Sequence, residues 1–162
     1  MAGTRFMRRG TTRFYWCPMV AALTKVPTTA EVSAGIRLDP QLATVEGFSF
    51  ANTPIPTPNM AEAFTPTIPG EDAAADSTLG FYQIRGAVDV IRAAQPRLET
   101  GFMVIFTEGL AGSTPAIGDV CDSWPAQVAS IAKAYSAGNE AAMYNVAYTM
   151  SGSPAEDVVL VA

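Results

Sequence analysis

Apolar and polar residues alternate in short stretches along most of the chain, and helical spacing is confined to two brief segments. Residues 140–150 alternate most cleanly. Ala142, Tyr144, Val146, Tyr148 and Met150 fall on one side of an extended chain, with Met143, Asn145, Ala147 and Thr149 on the other. A period of two marks a strand with one buried face. The aromatic run Arg13-Phe14-Tyr15-Trp16-Cys17, stopped by Pro18, reads as a strand, as do residues 43–50 and residues 77–85 with Phe81 and Tyr82. Residues 101–107 form a continuous apolar run bounded by Gly101 and Gly109, the pattern of a buried strand. Residues 119–133 set Val120, Trp124, Ala126 and Val128 on one face and predict a long strand. Pro125 then belongs at a bulge or edge, because proline has no amide to give a central ladder. Residues 158–161 add a last short strand.

Two helices punctuate these strands. Thr28 or Thr29 followed by Glu31 has the form of a capping box, and Gly35 closes the short helix it opens. Residues 87–95 place Val88, Ile91 and Gln95 on one side, with Pro96 as the stop. Between residues 52 and 70 stand Pro54, Pro56, Pro58, Pro66 and Pro69. Missing amide donors exclude a central strand or helix over residues 52–59. The prediction there is a Pro-rich extended loop over 52–70, with residues 61–68 pairing at a sheet edge and Glu71, Asp72 and Asp76 in an Ala-rich turn beyond. Residues 110–118, rich in Gly, Ser and Pro, read as a loop, and no internal repeat is present. Residues 1–162 thus predict one mainly β domain of antiparallel strands with a flanking short α-helix.

Composition changes the picture in one direction. Apolar residues make up 49% of the chain and charged residues only 15%, against a usual charged share of about 25%. An isolated domain with so few charges struggles to cover its surface, and a permanent subunit interface is the usual destination of surplus apolar area. The alternative is an ordinary monomer with a weakly polar, Ala- and Thr-rich surface. A net charge of -5 and a pI near 4.6 argue against a protein that grips nucleic acid. The aromatic strand beside Arg13 is accordingly read as core or interface, not as a stacking platform for bases. The charge is uneven: Arg5, Arg8, Arg9 and Arg13 precede any acidic residue, whereas from Leu42 onward 13 acids face four bases. A basic arm over residues 1–13 on an acidic body suits docking onto a neighbouring copy; a solvated terminus is the other reading.

Chemistry finds little material. The absence of histidine removes the commonest general base and metal ligand, and with it the Ser-His-Asp and Cys-His arrangements. The run Gly109-Leu110-Ala111-Gly112-Ser113-Thr114 lacks the lysine and spacing of a phosphate loop. The pairs Glu71/Asp72 and Glu156/Asp157 read as solvated charge, and Asp119 with Asp122 lacks the further ligands a cation site needs. No catalytic, cofactor or metal residue is assigned. Cys17 and Cys121 are either one disulfide or two buried thiols, with free thiols expected. No secretory leader fits the basic start followed by a Pro-broken apolar stretch, and no run approaches the ~20 residues of a membrane helix. Synthesis in a cytoplasm is the expectation.

Residues 76–146 resemble the major tail tube proteins of long-tailed, siphophage-type bacteriophages. The residues concerned are Asp76-Ser77-Thr78-Leu79-Gly80-Phe81-Tyr82, the helix from Val88 to Ala94, and Gly101-Phe102-Met103-Val104-Ile105. They continue with Gly118-Asp119-Val120 leading to Trp124-Pro125-Ala126-Gln127-Val128. Fainter echoes lie at Thr24-Lys25-Val26-Pro27 and Glu31-Val32-Ser33-Ala34-Gly35. The resemblance implies a β-sandwich or partly open barrel with a flanking helix. It further implies rings, usually hexameric, whose strands join around a lumen, and which stack through the N-terminal arm and a long loop. Its implied partners are further copies of the chain and other tail proteins (tape measure, terminator, tail tip), with genomic DNA passing through the lumen without specific binding, in a virion tail. Arg5, Arg8, Arg9 and Arg13 are the candidate inter-ring contacts. Two other classes are weighed against this reading: another ring-forming virion protein (neck, tail terminator or tail tip) that does not polymerise, and a small-molecule enzyme or binding module.

Overall fold

A computed structural model describes residues 5–61 and 63–162 of the chain. The elements run β1 (Arg13–Cys17), α1 (Thr29–Ala34), β2 (Ile36–Arg37), β3 (Leu42–Glu46), β4 (Phe50–Pro56), β5 (Thr67–Ala74) and β6 (Ser77–Tyr82). They continue with α2 (Val90–Ala94), β7 (Thr100–Phe106), β8 (Val120–Ala134), β9 (Met143–Met150) and β10 (Ala155–Val159). One eight-stranded sheet has the order β2-β1-β7-β8-β9-β6-β3, with β10 also on β8, and β4 and β5 form a separate two-stranded ribbon. Its neighbouring strands are antiparallel, as the alternation predicts.

The sheet is curled. Trp16 of β1 meets Tyr148 of β9 with ring centroids 5.7 Å apart, although β7 and β8 lie between those strands in the sheet order. Only a sheet folded toward itself brings them together, which is the partly open barrel expected. The concave side holds the main core, including Trp16, Phe81, Met103, Trp124 and Tyr148, plugged by Ile91 of α2. A second cluster, with Tyr15, Val104, Phe106, Cys17 and Cys121, lies on the other face of β1, β7 and β8 under Val32 of α1 and Leu160. Those three strands are therefore buried on both sides, which explains why β7 reads as an unbroken apolar run. The predicted cap of α1 is present in full: the Thr28 hydroxyl accepts from Glu31 N at 3.2 Å, and the Glu31 carboxylate accepts from Thr28 N at 2.8 Å.

Four expectations need correction. The strand over 43–50 stops at Glu46, because Gly47 and Phe48 adopt φ of 84° and 54° and turn the chain away. The helix over 87–95 shrinks to Val90–Ala94: Asp89 caps it by accepting from Arg92 N at 3.1 Å, so Val88 falls outside and is exposed. Pro125 is neither at an edge nor at the bulge of β8, which lies between Val128 and Ser130. Its carbonyl accepts from Ser151 N at 3.0 Å, and a strand residue turns its N and its carbonyl to the same side. The proline nitrogen thus faces the gap where β10, paired as far as Ser123, gives way to β9, paired from Ala126. Finally, the Pro-rich loop over 52–70 is largely a β-hairpin, and Glu71 and Asp72 lie in its second strand instead of a turn.

Candidate assembly surfaces

The β4–β5 ribbon is exposed along nearly its whole length. Its register runs from Phe50 opposite Ala74 to Pro56 opposite Thr67, with an irregularity that takes up Pro69 and Gly70. The Asn52 side chain clamps this point, donating to Gly70 O at 2.9 Å and accepting from Gly70 N at 3.0 Å. Gly70 is needed there, since a Cβ would collide with the Thr53 carbonyl and come within 2.7 Å of Ile55. Ile55 and Ile68 pair across the ribbon yet each remains about half exposed, and Phe64 in the tip is 77% exposed. A free two-stranded ribbon is marginal in water. This one is held at its root: Ser77 Oγ, fully buried, accepts from Phe48 N at 2.8 Å, and the Phe48 ring stands edge-on to Trp124 at 5.9 Å. A positive φ at so bulky a residue persists only where the surroundings impose it. The angle at which the ribbon leaves the body is therefore fixed by the core.

The basic segment divides in two, and its first four residues lie outside the described residues. Arg5, Arg8 and Arg9 are exposed, and residues 8–12 close a turn in which Thr11 N and Thr12 N donate to Arg8 O at 3.0 and 2.9 Å. The Thr12 hydroxyl donates to Thr107 O at 3.0 Å and ties the turn to the body, where Gly109 leaves room for the Thr11 carbonyl. Arg13 belongs to the sheet instead, opposite Phe106 in β7. Its guanidinium lies 3.8 Å from Asp39, which Arg37 holds at 2.7 Å. A groove of about 930 Å³ opens between the limb made by β1, β7 and β8 and the limb made by β3 and β6. Phe14, Phe48, Ile105 and Trp124 line it together with Arg8, Arg9 and Arg13.

Two of the carboxylates singled out in the sequence serve the backbone. Asp119 accepts from Ala111 N at 3.0 Å and Ala116 N at 2.9 Å, pinning the loop between β7 and β8. Asp122 accepts from Asp157 N at 2.8 Å and holds β10 in place. No group of three potential metal-ligating residues forms among the described residues. Cys17 and Cys121 are free and fully buried. Burial, with help from nearby carboxylates, pushes both thiols up to about 12.

The arrangement is thus a body with a projecting ribbon, a basic turn and an open groove. Over residues 1–162 the sequence matches the family described as phage tail tube protein. The chain belongs to that family. This tail tube protein is accordingly a structural subunit of a phage tail tube, not an enzyme. No curated protein matches the chain. Among solved structures, a chain of the PVC sheath-tube complex in its extended state, from an extracellular contractile injection system, aligns at a TM-score of 0.59. It has 13% identity over 94% of this chain and 89% of that one. The PVC sheath/tube terminator gives 0.63 with 12% identity over 94% and 97%. The tube-terminating cap of the anti-feeding prophage gives 0.62 with 13% identity over 100% and 95%. At such identities the likeness is one of fold.

The ribbon and the groove went unpredicted from the sequence. The signal for the ribbon was present in Thr53, Ile55, Thr67 and Ile68, β-branched residues on either side of a Pro- and Asn-bearing tip, but the prolines outweighed it. The groove has no sequence signal, because its walls come from strands far apart in the chain.

Proposed function

We propose that this tail tube protein closes into rings, hexameric by the family resemblance, which stack into a tube around an acidic lumen through which DNA slides during ejection. The observation that carries the reading is the β4–β5 ribbon, an apolar-tipped projection whose two strands pair only with each other among the described residues. Within a tube such a ribbon gains the cover it lacks alone, and the exposed edge of β3 gains a neighbouring strand. The net charge of -5 per subunit suits a wall that repels phosphates and leaves the counterions on the DNA. Stacked acidic rings repel one another, so Arg5, Arg8, Arg9 and Arg13 act as bridging charges. Other tail proteins (tape measure, terminator, tail tip) complete the partner set. The protein is made in the host bacterial cytoplasm and incorporated into a virion tail, as the resemblance implies.

A second reading, a ring that stops without polymerising, draws support from the likeness to a tube terminator and a terminating cap. Negative-stain electron microscopy of the purified protein separates the two: long hollow tubes support the first reading, single rings the second. Replacing Arg5, Arg8, Arg9 and Arg13 together by glutamine leaves the subunit folded by circular dichroism and shortens or abolishes the tubes. Tubes of normal length from that variant remove the arginines from the mechanism.

A further inference from the structure

The segment that carries α2 is tied to the body at its two ends and hardly at all between them. Gln83 N donates to Ala142 O at 2.8 Å, and Leu98 N donates to Val128 O at 2.8 Å. From residue 84 to residue 97 the backbone bonds run within the segment, Ala93 N to Asp89 O at 2.9 Å and Gln95 N to Arg92 O at 3.4 Å. Among the described residues, its one side-chain hydrogen bond to a strand comes from Tyr148 OH, which donates to Gln95 Oε1 at 3.0 Å. The segment is also mounted against its own chemistry. Val88 is 78% and Val90 56% exposed, while Gln95 is fully buried beside Ile91. Three buried polar atoms at its underside, Gln95 Nε2, Asp89 Oδ2 and Tyr144 OH, have no hydrogen-bond partner. Burial, and after it the Asp89 carboxylate, pushes the Tyr144 phenol up, which sets Asp89 beside that ring. Unpaired buried polar groups are costly, and apolar residues outside with polar residues inside is a conflict between sequence and fold. Both ends have the backbone of a hinge. Gly86 takes a φ of 82° with nothing within 4 Å of its Cβ position, and Leu98 takes a φ of 69°, which a side chain of that size rarely adopts.

We propose that residues 84–97 form a hinged lid on the concave core, which swings out as one unit about Gly86 and Leu98 while the eight-stranded sheet stays intact. The Tyr148–Gln95 hydrogen bond is its latch and Ile91 its plug. Opening gives Asp89 and Gln95 to water, which satisfies the atoms left unpaired when the lid is shut, and uncovers Tyr144 and Tyr148. What opposes it is the loss of Ile91 from the core. The device belongs to the single subunit and stands apart from the stacked-ring reading.

Hydrogen exchange of the dilute, unpolymerised subunit, followed residue by residue in rising sub-denaturing urea, tests the lid. The amides of Arg92, Ala93 and Gln95 are expected to share one protection factor, about a hundredfold or more below those of β8 and β9. They should respond little to urea, since opening the lid exposes far less surface than unfolding. Val104, fully buried on the face of β7 that lies under α1, supplies the contrast. Val104→Ala weakens the sheet and should speed exchange in β8 and β9 by about tenfold or more. It leaves the lid amides within about twofold, because it alters the open and the closed state alike. Tyr148→Phe breaks the latch and should speed the lid amides by about fivefold or more. Lid amides that follow the sheet, in urea dependence and in their response to Val104→Ala, overturn the proposal. So do lid amides that exchange at unrelated rates, which is fraying and not the motion of a unit. Unchanged lid exchange in Tyr148→Phe removes the latch. The urea series on the parent protein decides the matter should neither variant fold.

Discussion

Gly101 in β7 lies directly under Trp16, so Gly101→Ala tests the packing of the curled sheet at one point. A Cβ there would sit 2.6 Å from Trp16 Cζ2, 2.9 Å from Trp16 Cε2 and 2.8 Å from the Cys17 carbonyl oxygen, and the backbone is not in the left-handed region that alone would demand glycine. The indole has little room to yield, being 2% exposed and packed against Tyr148. The carbonyl belongs to the β1–β7 ladder, where Cys17 pairs with Phe102. Overpacking of this kind costs about 1–3 kcal/mol, and two fixed neighbours put this site in the upper half of that range. Alanine also restricts the unfolded chain, which returns about 0.4–1 kcal/mol. The net loss is about 2 kcal/mol, or a Tm lowered by about 4–8 °C for a domain of this size. The assay is thermal unfolding of the dilute, unpolymerised subunit, since assembly raises apparent stability by mass action. Gly112→Ala, with nothing within 4 Å of its Cβ position, serves as the control and stays within about 0.5 kcal/mol of the parent. Adding Trp16→Phe to Gly101→Ala removes the six-membered ring that the methyl strikes, so the two changes together cost less than their sum. A Gly101→Ala variant as stable as the Gly112→Ala control would refute the close packing of β1 on β7.

Two further outcomes follow from groups buried elsewhere. Ser77→Ala removes the acceptor for Phe48 N at the root of the ribbon. It should cost about 1–3 kcal/mol for the amide left unpaired and raise hydrogen exchange in residues 48–56 before the rest of the sheet; uniform protection would show that Ser77 does not hold the root. Cys17 and Cys121, raised to about 12, favour the neutral thiol in the folded state. Their contribution to stability is full below the unfolded value of about 9 and is lost as pH rises from there toward about 12, because only the unfolded chain releases the protons. Chemical denaturation at pH 8 and pH 10 should show that decline, and both thiols should ignore a disulfide reagent at pH 8 until the chain unfolds. Rapid reaction of either one in the native protein would contradict its burial.

The divide between what was legible and what was not follows the range of the interactions. Local chemistry predicted β1, β7 and the capped α1 within a residue or so, and β9 apart from its first three positions, because alternation, a Thr-x-x-Glu box and a bounding glycine act over a few positions. Low charge and missing histidine pointed to an assembling protein without a catalytic centre, and the family match agrees with that reading. Tertiary context decided the remainder. Phe48 takes a positive φ because Ser77, Trp124 and Tyr148 hold it there, and that turn converts one predicted strand into a strand and the root of a ribbon. Pro125 sits inside the longest strand because two other strands leave a gap beside it. Arg13 and Arg8, near neighbours in sequence, part company because β1 pairs with β7 and draws Arg13 into the sheet beside Asp39. The groove arises only when β3, seventh in the sheet order, curls round to face β1 and β8. A contact between strands so far apart in the chain is set by how the whole core packs, and no window of sequence contains it.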